Sequence, residues 1–301
     1  MACEERVVSG AAPVGIAGLG LVGGALSARL LAAGHSVLGW DPDPPRRAAH
    51  RAMGGTVADG PAALGLGCEA LVVAVYDADQ AAALIAALAE HGRLSTILCV
   101  TTCDPGQATA LAEQAAARGL DFVEFPLSGT SRDIRDGDAT GILGAADAVA
   151  RGLAPLLTVL CPRHLRVGGV GDAARMKLAV NLVLQVNRAA LAEGMVLAER
   201  QGLDPAAFLE VARQSAARSA VMDAKGPKMV RGDFTPESRI AQTLKDAELI
   251  LAAGAMVGQP LPLAAAQAAL LREAVAEDGS RDSAAVIETI RALGRKEQGQ
   301  S

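Results

Sequence analysis

Over the first 170 residues, short apolar runs alternate with amphipathic stretches. VGIAGL (14–19), SVLGW (36–40), ALVVAVY (70–76), TILCVT (96–101) and DFVEFPL (121–127) have few polar breaks, the pattern of strands buried on both faces. Between them, LSARLLAAG (26–34), AAALIAALAE (81–90) and GQATALAEQAAARG (106–119) carry apolar residues at helical spacing. Such alternation predicts right-handed crossovers and a parallel sheet covered on both faces. GILGA (141–145) and HLRVGG (164–169) read as the strands that close the sheet.

After residue 170 no strand pattern recurs. Asp172 to Gln201 reads as one helix, with Asp172 as N-cap and Gly202 as stop, about 45 Å long at 1.5 Å per residue. DPAAFLEVARQSA (204–216), RIAQTLKDAELILAAGAMVG (239–258), LPLAAAQAALLREAVAE (261–277) and DSAAVIETIRALG (282–294) follow as amphipathic helices with cap signals.

The junction between VGIAGL and its helix holds Gly18, Gly20 and Gly23, a G-x-G-x-x-G spacing. The first glycine permits a tight turn, the second lets backbone approach a pyrophosphate, and the third lets the helix pack close to the strand. Free N–H groups at the helix start then hold phosphate, so Gly18, Leu19, Gly20, Leu21, Val22 and Gly23 form a candidate dinucleotide cradle. The spacing alone carries little weight in a chain with 33 glycines. Asp41 adds the weight: it ends the SVLGW strand, 23 residues after Gly18, where a carboxylate accepts ribose hydroxyls and repels a 2′-phosphate. NAD is therefore expected over NADP, although Arg46 and Arg47 stand near enough in sequence to serve a phosphate. The predicted fold is α/β: a Rossmann-type doubly wound sheet over 13–170, a long interdomain helix over 171–201 and an all-α domain over 202–295. Residues 1–12 read as a flexible leader and 296–301 as a tail.

Composition narrows the functional classes. With 301 residues and 51% apolar content, the chain can bury large cores without staples. Its net charge of −5, with no basic run, predicts neither a nucleic-acid nor a membrane partner. The candidate spanning segment near the N-terminus is broken by five glycines between Gly15 and Gly24 and by Arg29. MACEERVVSG has no basic n-region, so no signal peptide is expected. Five scattered cysteines without a C-x-x-C pair point to the cytoplasm, and Cys99 and Cys103 lack the further ligands of a metal site. No metal is expected.

Two patches beyond the glycine turn carry chemistry. Lys177 and Asn181 are spaced i, i+4 on one face of the long helix, within an apolar flank, MKLAVNLVL, that favours a cleft over open solvent. PLSGT follows a strand, which puts Ser128 and Gly129 at a strand C-terminus, where ligands of open α/β sheets bind. A further glycine patch, VGGVGDAARMK, lacks the G-K-[ST] ending of a nucleotide-triphosphate loop.

Taken in order, GLGLVG with GHSVLGWD, TTCDP (101–105), FPLSGTSRDIRDGDATGILG (125–144), GGVGDAARMKLAVN (168–181) and TLKDAELILA (243–252) resemble the β-hydroxyacid dehydrogenases. That family includes 3-hydroxyisobutyrate dehydrogenase, tartronate semialdehyde reductase and the succinic semialdehyde or glyoxylate reductases; the match is collinear over about 14–292. The resemblance implies Lys177 as the catalytic lysine and Asn181 as the residue that orients it. It implies that Ser128, Gly129 and Thr130 hold the substrate carboxylate and reacting oxygen, Thr102 lies beside the nicotinamide ribose, Lys245 reaches over the cofactor and Phe234 lines the substrate pocket. Thr130 replaces a family glycine, which leaves substrate identity open; Arg132 is a candidate for a distal anion and Asp246 for a structural role.

A lysine suits hydride transfer between an alcohol and a carbonyl because the hydroxyl proton must leave or return; desolvation and a nearby cation lower its ordinary value near 10.4. The expected enzyme interconverts a small β-hydroxy acid and its semialdehyde and forms a homodimer or homotetramer. An imine reductase of the same fold is an alternative, weakened by the retained Lys177, and a catalytically inactive dinucleotide-binding module is another.

Overall fold

The computed structural model describes residues 12–89 and 92–298. The expected leader apart from Ala12, residues 299–301 of the expected tail, Cys3 and the Glu90 end of one expected helix lie outside the described residues. The chain forms two compact units that divide between Lys177 and Leu178.

The first unit is a sheet of β1 (Val14–Ala17), β2 (Val37–Trp40), β3 (Thr56–Val57), β4 (Ala70–Val73), β5 (Thr96–Cys99), β6 (Asp121–Glu124), β7 (Leu127–Ser128), β8 (Thr140–Gly144) and β9 (Arg163–Gly168). Its helices are α1 (Leu21–Ala32), α2 (Pro44–Ala52), α3 (Pro61–Gly67), α4 (Ala78–Ala87), α5 (Pro105–Ala116), α6 (Ser131–Asp136), α7 (Asp147–Gly152) and α8 (Ala154–Leu160). Strand order is β3-β2-β1-β4-β5-β6-β8-β7, with β9 on β8. The unbroken apolar runs follow from this position: Val72 and Leu98 enter the core on one side of the sheet, whereas Leu71, Val73, Ile97 and Cys99 enter the other. Each fully buried Val, Leu or Ile contributes about 1.5–3 kcal/mol.

The parallel expectation holds among β1 to β6 and between β8 and β9, and fails where β8 joins the rest of the sheet. β8 runs antiparallel to β6 and β7. The single strand expected over 121–127 is two, because Pro126 has no N–H to give the ladder, although the register against β8 is the same on both sides of it. Proline also hid α2: DPDPP reads as a turn, but Pro44 and Pro45 occupy the first helical positions after Asp43, where a missing N–H costs nothing.

The long helix α9 (Asp172–Arg200) begins in the first unit and continues into the second. Asp172 lies inside its first turn and accepts a hydrogen bond from the Gly169 amide at 2.9 Å, which corrects its expected place as N-cap. The second unit packs α10 (Pro205–Gln214), α11 (Ala220–Arg231), α12 (Ile240–Met256), α13 (Pro262–Asp278) and α14 (Val286–Gln298) around Leu191, Met195, Leu209, Met229, Leu271 and Ile287. α11 has Pro227 in its interior, which obscured it in the sequence. α14 takes up residues 296–298 of the expected tail. Among the described residues, no helix is long and apolar enough to cross a membrane.

Candidate active site

In the first unit, the glycine turn is fixed by close packing. Gly18 has φ +88° and a Cβ there would lie 2.4 Å from the Ala74 carbonyl oxygen; a Cβ on Gly23 would lie 1.8 Å from the Gly18 oxygen. Only glycine fits either position. Gly20 N-caps α1 with no side chain bonded to the exposed N–H groups of the first turn. The closest group to a Cβ at Gly20 is the Arg46 guanidinium, 3.8 Å away. Backbone donors that side chains leave unclaimed, beside positions without a Cβ, fit a dinucleotide pyrophosphate.

Asp41 follows β2 and is only 1% exposed. Its Oδ2 accepts from the Leu19 amide at 2.8 Å and from Arg46 Nη1 at 3.2 Å, and its Oδ1 accepts from the Asp43 amide at 2.8 Å. Asp41 and Leu19, both expected to contact cofactor, are thus bonded to each other. Arg46 Nε also pairs with Asp43 at 3.2 Å, and Arg47 Nη1 donates to the Asp41 carbonyl at 2.6 Å.

The loops after β4 and β5 are joined by Thr101, which the sequence did not single out. Its hydroxyl donates to the Val75 carbonyl at 3.1 Å and accepts from the Val75 amide at 3.2 Å. Thr102, half-buried, follows directly.

β7 carries the next group of residues. Ser128 is half-buried and Gly129 exposed, with φ +152° at Gly129. Thr130 is committed elsewhere: its amide donates to Asp133 Oδ2 at 2.7 Å, and its hydroxyl accepts from the Asp133 amide at 3.2 Å, a capping box for α6. Arg132 is exposed on that helix. Lys177, 5% exposed, donates from Nζ to the Leu127 carbonyl at 2.8 Å, which puts it beside Ser128. Glu124, at the end of β6, accepts from the Gly171 amide at 2.8 Å and so holds the start of α9. Burial pushes the Glu124 carboxyl above its ordinary value, opposed by amide hydrogen bonds from Gly171, Ala174 and Ala173.

In the second unit, Asn181 lies one turn beyond Lys177 along α9, and its Nδ2 donates to Asp246 Oδ2 at 3.0 Å. Asp246 also pairs with Lys245 at 3.3 Å. Phe234 packs against the helical core with the Arg281 guanidinium 4.6 Å above its ring.

Two family models match the chain. Residues 13–168 match the NAD binding domain of 6-phosphogluconate dehydrogenase, and residues 171–290 match the NAD-binding domain of NADP-dependent 3-hydroxyisobutyrate dehydrogenase. L-threonate dehydrogenase of Cupriavidus necator is 31% identical, over 91% of this chain and 94% of its own. Glyoxylate/succinic semialdehyde reductase 1 of Arabidopsis thaliana is 30% identical, over 92% of this chain and 98% of its own. The crystal structure of 3-hydroxyisobutyrate dehydrogenase from Salmonella typhimurium superposes with a TM-score of 0.84 at 27% identity, over 91% of this chain and 98% of that one.

Proposed function

The chain belongs to the β-hydroxyacid dehydrogenase family, that of 3-hydroxyisobutyrate dehydrogenase, and from that premise we propose that it is an NAD(P)-dependent oxidoreductase interconverting a small β-hydroxy acid and its semialdehyde. The observation that carries the reading is Lys177 Nζ, buried and held on the Leu127 carbonyl next to Ser128, in a unit that also contains the glycine cradle.

A nicotinamide dinucleotide, when bound, supplies the hydride acceptor or donor. Lys177 takes the hydroxyl proton in oxidation and returns it in reduction. The Leu127 carbonyl fixes where Nζ begins this transfer. Ser128 Oγ and the Gly129 amide hold the substrate carboxylate and reacting oxygen; the Thr130 amide is excluded from that task by Asp133. Asn181, oriented by Asp246, sets the environment of the lysine one turn away, and Thr102, Lys245 and Phe234 keep their proposed contacts with cofactor and substrate.

NAD is the preferred cofactor in this reading, supported by a carboxylate at the end of β2 beside the glycine turn. A cytoplasmic setting is part of this reading, with Cys68, Cys99, Cys103 and Cys161 as buried thiols. The working form is a homodimer or homotetramer, for which a clean monomer in light scattering is the contrary result. Incubating the protein with NAD or NADP and a panel of hydroxy acids, with a cyclic imine and NADH or NADPH as a separate arm, tests the reading. Turnover of a hydroxy acid supports it; reduction of the imine alone favours the imine reductase, and cofactor binding without any turnover favours an inactive module.

A further inference from the structure

We propose that a file of ordered waters runs beside α9 in the helical unit, held by Asn181, Gln185 and Arg188, and carries the catalytic proton between Lys177 and solvent. The proposal rests on the oxidoreductase reading above and makes Gln185 and Arg188 positioning residues of that reaction.

Lys177, Asn181, Gln185 and Arg188 are spaced i, i+4, i+8 and i+11, so they share one face of α9, and none is more than 5% exposed. Polar side chains at that depth need partners. Each of the last three spends one donor on a facing segment: Asn181 Nδ2 on Asp246 Oδ2 at 3.0 Å, Gln185 Nε2 on the Thr243 carbonyl at 3.3 Å, and Arg188 Nη1 on Ser283 Oγ at 3.1 Å. Because the acceptors are a carboxylate and a carbonyl, these bonds fix which end of each amide is nitrogen. A second atom of each residue is left over. Asn181 Oδ1, Gln185 Oε1 and Arg188 Nη2 are buried and meet no hydrogen-bond partner among the described residues.

Water is the ligand that this row fits. An anion suits Arg188 but is repelled by two amide oxygens; a metal cation suits the oxygens but is repelled by the guanidinium. A water donates to both amide oxygens, or donates to Gln185 and accepts from Arg188. Neighbouring groups are offset by about 4.5–6 Å along the helix at 1.5 Å per residue, a gap that one water spans with two bonds of about 2.8 Å. Beyond Arg188 the row continues through hydroxyls, since Ser283 Oγ lies 2.9 Å from the Oγ of half-buried Ser238. Burial lowers Arg188 only to about 10, with Asp282 and Asp246 opposing, so the guanidinium stays charged at neutral pH and anchors water without passing a proton itself.

In oxidation Lys177 gains the hydroxyl proton of the substrate and must lose one proton before the next turnover. The first water takes it and passes another on, O–H bonds forming and breaking in sequence until one proton leaves at Ser238. No electrons leave the file, and reduction runs the same steps backwards.

The test compares wild type, Gln185→Leu and Gln185→Glu on a hydroxy acid in H2O and D2O, with cofactor affinity followed through the fluorescence of Trp40, the single tryptophan of the chain. Gln185→Leu removes the central oxygen while nearly keeping the volume. Its kcat should fall by about tenfold or more, and its solvent isotope effect on kcat should rise above that of wild type, with KM and cofactor affinity nearly unchanged. Gln185→Glu, which keeps a side-chain oxygen, should recover part of the rate. A high-resolution crystal structure of the wild type should show waters bonded to Asn181 Oδ1, Gln185 Oε1 and Arg188 Nη2. An unchanged kcat and isotope effect in Gln185→Leu, or a crystal in which these atoms meet no water, overturns the proposal and leaves the oxidoreductase reading standing. A wild type that turns over no hydroxy acid overturns that reading and the proton path together.

Discussion

Lys177 Nζ and the Leu127 carbonyl oxygen are 2.8 Å apart, a hydrogen bond that joins α9 to the short strand β7. The bond depends on features of both elements. Pro126 interrupts the strand, and beyond it Leu127 and Ser128 stay in the same antiparallel register on β8, opposite Gly141 and Thr140, that Glu124 has opposite Gly144. On the other side, Glu124 fixes the first turn of α9 through the Gly171 amide, six residues before Lys177. Lys177 is therefore placed from two strand ends, by the Leu127 carbonyl and by the Glu124 carboxylate.

Glu124 should consequently behave as a positioning residue. Glu124→Ala leaves first-turn amides of α9 buried without an acceptor, at a cost of about 1–3 kcal/mol. Urea unfolding should show that loss, and kcat should fall more than KM rises. Glu124→Gln keeps an acceptor oxygen and should restore most of both; an equal loss in the two variants would argue against the assignment.

A second stabilising centre lies in the helical unit. Lys225 and Asp282 are 3% and 0% exposed and 2.9 Å apart, and Asp282 also accepts from the amides of Glu237, Ser238 and Ala284. Burial alone would raise the Asp282 carboxyl, but Lys225 and these donors hold it below the usual range. Asp282→Ala leaves a buried ammonium unpaired and should cost about 3–5 kcal/mol in denaturant unfolding. A change within about 0.5 kcal/mol would show that the pair is dispensable.

The first unit should lose stability in mild acid through His50. Its Nδ1 lies 2.9 Å from Ser27 Oγ and its Nε2 3.0 Å from the Thr56 carbonyl, in a buried position. Burial holds the ring below its ordinary 6.5, with backbone bonds to Thr56 and Val37 opposing. The folded state prefers the neutral ring, so this contribution is complete above the unfolded value and is lost as pH falls through the lowered folded value. Urea midpoints from about pH 7.5 to 5 should decline, and His50→Gln should flatten part of that decline. An identical slope in both proteins would assign the acid sensitivity elsewhere.

The glycine turn, the strands β1, β2, β4 and β5 and the long helix α9 were legible because each is a local pattern: unbroken apolar runs, glycines at fixed offsets and a sustained helical period; the two-residue β3 was not. The same reading missed α2 and α11, whose prolines occupy positions that only the assembled helix makes acceptable. The bond from the Leu19 amide to Asp41 and the capping box between Thr130 and Asp133 had no signal in the sequence, because these partners emerge only when loops close on one another. Thr101, Glu124 and His50 carried no spacing signal at all; their roles come from contacts between segments distant in sequence.

The central claim is that Lys177 moves the proton in a nicotinamide-dependent oxidation of a hydroxy acid. Its most direct test is the rate of NADH or NADPH formation by wild type and Lys177→Ala on the best substrate of the hydroxy-acid panel, with cofactor affinity followed in parallel through Trp40 fluorescence. Removing a general acid/base costs about 10²–10⁴ in rate. The account predicts a fall in kcat of that order, with cofactor dissociation constants nearly unchanged. Near wild-type turnover by Lys177→Ala would contradict it.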